Sequence, residues 1–258
     1  MEINKDLRIS TMTMISQITT NICLSKFYKY IDTTENIIYI EYGQNEPKGE
    51  PYKKKKEKKN QKKKKNHFYN QITLNILLDK FVNVKVFNNG RIQMTGIKDQ
   101  NNCEKIIKLI ISEINKLPND KKLEIVDNED IKINHSQIVL INSDFDIKMH
   151  INNDKLQKII VERGYYSSYE PLIYPGVNIK YYYNEEKENN GICNCERQCD
   201  GKGKNGVCKK ITIAVFTSGK IIITGGSKIE HLNTAYKFIK NIIENNKKEL
   251  IITENKDI

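Results

Sequence analysis

Four cysteines share one short segment, Cys193-x-Cys195-x3-Cys199-x8-Cys208. Thiolates at this density in a Gly- and Lys-rich loop could hold a tetrahedral Zn2+. The metal would give fold to a loop that has no core of its own. The spacing is not the familiar paired C-x-x-C, so free thiols in a reducing compartment stand beside zinc as the alternative. The two remaining cysteines, Cys23 and Cys103, read as small buried apolar residues. A second chemical feature is charge. The formal net charge is +11, of which residues 53–65, with ten Lys and one Glu, supply +9 and the rest of the chain +2. Such a run is a phosphate-attracting arm or localisation patch, or a solvated loop that drifted to Lys. The four histidines (His67, His135, His150, His231) stand alone, and neither a phosphate loop nor a paired-carboxylate signature is present. The residues therefore predict a protein that is not an enzyme.

The elements that would position these groups are legible through a repeat. Val86-Phe87-Asn88-Asn89-Gly90-Arg91-Ile92-Gln93-Met94-Thr95-Gly96 returns as Val215-Phe216-Thr217-Ser218-Gly219-Lys220-Ile221-Ile222-Ile223-Thr224-Gly225, offset by 129 residues without a gap. Each copy reads as two strands joined by a tight turn at x-x-Gly and followed by a helix. One duplicated unit predicts a pseudo-two-fold molecule, suited to a pseudo-symmetric partner such as duplex DNA.

Around the hairpins the same order recurs. Strands are expected over 10–21, 37–42, 68–78, 83–87 and 91–96, with a short helix at 25–31. Apolar residues at Cys103, Ile106, Ile107, Ile110, Ile111, Ile114 and Leu117 predict an amphipathic helix, ended by Pro118-Asn119-Asp120. In the second half, strands are expected over 138–149, 173–183, 210–216 and 220–225, with helices over 152–161 and 227–246. This gives two repeats, 1–118 with a Lys-rich insertion at 44–66 and 119–258 with a Cys-rich insertion at 184–209. Paired edge to edge they would form one antiparallel sheet with its helices on one face; the opposite face would need polar cover or a ligand. No stretch approaches transmembrane length and the N-terminus lacks a signal-peptide apolar region, so the expectation is a soluble, intracellular protein without a membrane partner.

The segment Tyr166-Ser167-Ser168-Tyr169-Glu170-Pro171-x-x-Tyr174-Pro175-Gly176, with the two Phe-x-x-Gly-(Lys/Arg)-x-x-x-Thr-Gly hairpins, resembles the TATA-box-binding-protein family. The composition and insertions look most like divergent members encoded by large DNA viruses, which implies action in the nucleus or in a cytoplasmic viral factory. The resemblance implies an α+β fold, a pseudo-two-fold duplicated saddle whose curved antiparallel sheet lies in the DNA minor groove and carries helices on its convex face. It further implies a monomer on double-stranded AT-rich DNA, kinked by aromatic wedges. The wedge positions are Phe68 and Phe87 in the first repeat and Tyr174 and Phe216 in the second. Groove-floor positions are Thr95 and Thr224, with Gln93 and Ile222 two residues earlier. The family's central asparagines fall at Thr13 and Leu140, with Ile15 and Asn142 two residues on, and Lys85 replaces an apolar groove flank. Glu170 matches a contact to the B-type initiation factor, followed here by Leu172 and Ile173; RNA polymerase would be recruited with it. The reading is a transcription initiation factor that binds and bends promoter DNA. The alternative is the same fold acting as an architectural DNA binder or protein-docking platform without promoter specificity.

Overall fold

Alternation of apolar and polar residues at period two dominates the chain, and it builds two compact units, Thr11–Val139 and Met1–Ser10 with Leu140–Ile258. The structure is a computed structural model that describes residues 2–52, 68–186, 189–196, 199–202 and 205–252. The lysine run 53–65 and His67 lie outside the described residues.

In the unit of residues 11–139, β1 (Arg8–Ile18), β2 (Ile37–Tyr42), β3 (Lys48–Gly49), β4 (Gln71–Leu77), β5 (Phe81–Phe87) and β6 (Arg91–Ile97) run in the order β3-β2-β4-β5-β6-β1, each pair antiparallel. Helices α1 (Leu24–Tyr30), α2 (Asn101–Asn115) and α3 (Asn119–Ile125) complete it. Ile72, Leu74, Ile76, Val82, Val84, Val86, Ile92 and Met94 all point to the helices and are buried in one cluster with Phe27, Ile106, Ile107, Ile110 and Ile114. Full burial of each such side chain contributes about 1.5–3 kcal/mol. The intervening residues form an open face.

The unit that contains residues 140–258 repeats the plan. Strands β7 (Ile133–Asp146), β8 (Tyr166–Glu170), β9 (Tyr174–Tyr183), β10 (Lys209–Phe216) and β11 (Lys220–Gly226) lie in the order β7-β11-β10-β9-β8, with α4 (Asn153–Glu162), α5 (Ile229–Asn245) and α6 (Lys247–Leu250). Ile141, Val177, Ile179, Ile211, Ile213, Val215, Ile221 and Ile223 are buried, as are Leu156, Ile160, Leu232, Ala235 and Ile239 of the helices.

Four elements depart from the sequence expectations, the short helix α6 after the expected end of α5 among them, and Cys23, expected buried, is exposed. Pro118 does not merely stop α2; it is the N-cap of α3, a place where its missing N–H costs nothing. The first insertion, expected as a loop, contributes β3, which pairs with the edge of β2. The segment Tyr166–Glu170 is an edge strand with no buried residue, so periodic burial gave no signal of it.

The insertions occupy different connections. The first lengthens the link between β2 and β4, and the second lengthens the hairpin between β9 and β10. Both hairpin turns need their glycine. Gly90 and Gly219 have φ of +75° and +83°, and a Cβ would meet the carbonyl oxygens of Thr20 and Met149 at 2.2 and 2.3 Å. Later in the hairpins, Gly96 and Gly225 (φ +106° and +100°) mark register shifts against β1 and β7. These bulges return Ile97 to the core instead of leaving it on the open face.

Candidate nucleic-acid interface

The open faces can be read row by row from the strand register. In the first unit one row runs Thr13, Thr95, Asn83, Asn75, Tyr39, and the next runs Ile15, Gln93, Lys85, Thr73, Glu41. In the second unit the matching rows run Asn142, Thr224, Thr212, Lys180, Tyr166 and Asp144, Ile222, Ala214, Asn178, Ser168. Thr13 and Thr95 bring their hydroxyls to 3.3 Å, and the Thr224 hydroxyl donates to Asn142 Oδ1. Asn142, not Leu140, therefore holds the place that Thr13 holds in the first unit. The 129-residue offset of the hairpins, carried back to β1, points to this residue directly.

Register also exposes residues that pattern reading missed. Asp144 sits beside Ile222 on the open face. Its Oδ1 accepts from the Ser10 hydroxyl at 2.5 Å, and its Oδ2 accepts from Arg8 Nη2 at 2.8 Å and Nε at 3.1 Å. Burial pushes the Asp144 carboxyl up, but the Ser10 and Arg8 hydrogen bonds outweigh it and hold the group below the usual carboxylate range. Lys180 donates to Thr212 Oγ1 at 3.0 Å, and burial lowers its pKa. In the first unit, Tyr52 stacks on Phe81 with ring centroids 3.6 Å apart. No local sequence signal links those two residues.

The four residues expected as wedges lie at strand ends or, for Phe68, just before a strand. Phe87 and Phe216 close β5 and β10 immediately before the glycine turns, and both are half-buried. Tyr174 opens β9, and its ring meets Phe216 edge-on at 5.6 Å. Gly176 lies opposite Phe216; a Cβ there would press to 3.1 Å against both rings, so the glycine makes room for the pair. Phe68 precedes β4 and is 58% exposed; among the described residues no ring contact joins it to Phe87. Glu170 ends β8 and is exposed, and the Leu172 and Ile173 that follow it are 102% and 85% exposed.

The Cys193, Cys195, Cys199 and Cys208 sulfurs all lie within 4.8 Å of one another. Cys208 Sγ is 3.5 Å from Cys195 Sγ and 3.8 Å from Cys193 Sγ. Four sulfurs at about 2.3 Å from one ion would stand roughly 3.8 Å apart, so the donor set fits a tetrahedral thiophilic metal. The amide of Gly201 donates to Cys199 Sγ at 3.4 Å. Hydrogen bonding from the Val207 backbone and Cys208 draws Cys195 down to about 7, while burial pushes Cys208 up.

The family described as transcription factor TFIID, or TATA-binding protein, matches residues 135–246. A TATA-box-binding protein-like protein of Acanthamoeba polyphaga mimivirus is 30% identical over 264 residues, spanning 96% of this chain and 67% of that protein. The chain belongs to the TATA-box-binding-protein family. That family consists of DNA-binding transcription factors that are not enzymes. TATA-box-binding protein-like 1 of Entamoeba histolytica is 26% identical over 69% of the chain and 67% of its own length. The solved structure of Methanococcus jannaschii TBP matches with a TM-score of 0.56 at 22% identity, covering 93% of this chain and 99% of that one. The α+β fold expected from the sequence is thus the TATA-box-binding-protein fold. The direct match to the family falls on the second copy, where the sequence resemblance is also more specific. No helix among the described residues is long and apolar enough to cross a membrane.

Proposed function

We propose that the chain is a transcription initiation factor that binds AT-rich promoter DNA as a monomer through the minor groove. The matched rows of the two open faces carry this reading. Each copy presents a threonine hydroxyl, Thr95 or Thr224, bonded to a polar residue on the neighbouring strand. Small hydroxyls and apolar surface suit a groove floor where A·T pairs offer only acceptors. Phe68, Phe87, Tyr174 and Phe216 act as the wedges; they stand at strand ends with surface exposed, as insertion between base steps requires. Glu170, with Leu172 and Ile173, docks a B-type initiation factor, and the helices recruit RNA polymerase. The two repeats are 1–118 and 119–258, and the compact units Thr11–Val139 and Met1–Ser10 with Leu140–Ile258 divide the chain at slightly different points. The mimivirus relative supports a viral protein acting where viral DNA is transcribed. The Cys cluster holds Zn2+ as a structural ion, stapling the β9–β10 loop.

The test is binding and bending by fluorescence energy transfer, comparing a TATA-containing duplex with a GC-rich duplex of equal length at physiological salt. Wild type should bend the first, and Phe87→Ala/Phe216→Ala should abolish the bend. Equal, unbent, salt-sensitive binding of both duplexes would leave only phosphate attraction and make the fold a docking platform.

A further inference from the structure

The two open faces differ in charge at several counterparts, and one of these lies on the strand that also carries Asn142. Ile15 of the first unit is apolar and has Gln93 opposite it. Asp144 of the second unit is a carboxylate and has Ile222 opposite it. An ionised carboxylate is acceptor-only. At an A·T pair the minor-groove edge offers only acceptors, adenine N3 and thymine O2, so a carboxylate finds no donor there. At a G·C pair the guanine N2 amino group supplies one. A glutamine, which both donates and accepts, discriminates far less.

The surroundings of Asp144 keep it usable. Arg8 spends both of its bonds on Oδ2 and Ser10 takes one site on Oδ1, so Oδ1 retains a second lone pair. Asp144 also lines a groove of about 810 Å3 together with Asn142, Phe216 and Ile222, which leaves room for a base edge. The adjacent guanidinium offsets the repulsion that a bare carboxylate would meet from phosphates.

We propose that Asp144 is a base-reading residue that accepts a hydrogen bond from the exocyclic amino group of guanine, so that the half-site under the second unit prefers a G·C pair at one position. This rests on the reading that the open faces lie in the minor groove. Arg8 and Ser10 are positioning residues that aim the carboxylate.

The experiment replaces each A·T pair of a bound AT-rich duplex in turn by G·C or by I·C, since inosine is guanine without the N2 amino group. Wild type should bind guanine about tenfold tighter than inosine at one position in one half of the site. Asp144→Ile, which copies the first unit, should level the two, whereas Asp146→Asn, altering the next open-face carboxylate on β7, should keep the difference. Inosine equal to or better than guanine at every position in wild type overturns the assignment, whatever the variants do, while leaving minor-groove binding intact. Failure to bind any of the duplexes overturns both.

Discussion

The two units share a backbone plan and differ in the chemistry laid on it. Residue pairs separated by 129 make the same backbone bonds. Ile18 N donates to Gly90 O at 3.1 Å, and Ile147 N donates to Gly219 O at 3.1 Å. On the open faces the same offset pairs Thr13 with Asn142, Ile15 with Asp144, and Lys85 with Ala214. The first face carries a lysine centrally, Lys85 between Gln93 and Thr73, and an acidic residue, Glu41, on β2. The second carries an acidic site at β7 and a lysine, Lys180, on β9. Duplication conserved the hydrogen-bonded frame because every strand depends on it; the exposed positions were free to diverge.

The largest difference to test is the Cys loop, which the first unit lacks. Tyr182 N donates to Gly191 O at 2.9 Å and Lys210 N to Gly201 O at 2.8 Å, so both amides report on the loop. If the cluster holds a metal as proposed, adding a chelator, or making Cys208→Ser, should lower their opening free energy by about 4 kcal/mol while the amides of β4 and β5 stay protected. Hydrogen exchange that is unchanged by chelation would show that no metal staples this loop.

Next come the turn glycines, where the units should behave alike. Gly90→Ala and Gly219→Ala each force a Cβ onto a carbonyl oxygen and keep a positive φ, a cost of about 2–3 kcal/mol. Urea unfolding should give similar losses for both; a neutral result at either position would break the equivalence of the two turns.

A smaller effect is acid sensitivity confined to the second unit. His231 is buried against the Tyr183 ring at 4.6 Å, whereas its counterpart in the first unit is Asn102. Burial, reinforced by Lys228, lowers the His231 pKa below its ordinary value of 6.5. The folded state therefore favours the neutral ring. That contribution is fully present above pH 6.5 and is lost as pH falls through the folded pKa, because the unfolded chain takes up the proton first. Thermal melts at pH 7.5 and 5.5 should show a larger drop for wild type than for His231→Asn. Equal drops would remove His231 as the cause.

The smallest difference concerns the central threonines. Thr224→Val removes the hydroxyl donor to Asn142 and should cost about 1 kcal/mol. Thr95→Val breaks the longer contact to Thr13 and should cost less. Calorimetric melting of the two variants ranks them, and the reverse order would contradict the register assigned to Asn142.

Much of this was legible in the chain. The apolar stripes of α2 and α5 and the two hairpins follow from period and turn chemistry, because their burial is one-sided and their turns require glycine. Edge strand β8 was not legible, since Tyr-Ser-Ser-Tyr-Glu buries nothing that a periodic signal could report. The short α3 was hidden because proline reads as a stop, although it also suits a helix start. Among candidate site residues, the aromatic positions next to the turns came from sequence. Asp144 and its partners Arg8 and Ser10 did not, because they lie about 135 residues apart in the chain and only strand pairing brings them together.

The glycine turns have a mechanical consequence. Besides the bond from Ile18 to Gly90, Ile22 N donates to Asn88 O at 2.7 Å; in the second copy Ile151 N donates to Thr217 O at 2.9 Å. Each turn is thus bolted by main-chain links to the segment that runs from the first strand into the first helix of its unit. A push on the Phe87 or Phe216 ring is transmitted through the turn into the foot of α1 or α4, along a load path made of backbone alone. Because the links are main-chain bonds, exposed residues of the turns such as Asn89 and Ser218 can change without softening the mounting, provided the turn glycines and the buried isoleucines stay.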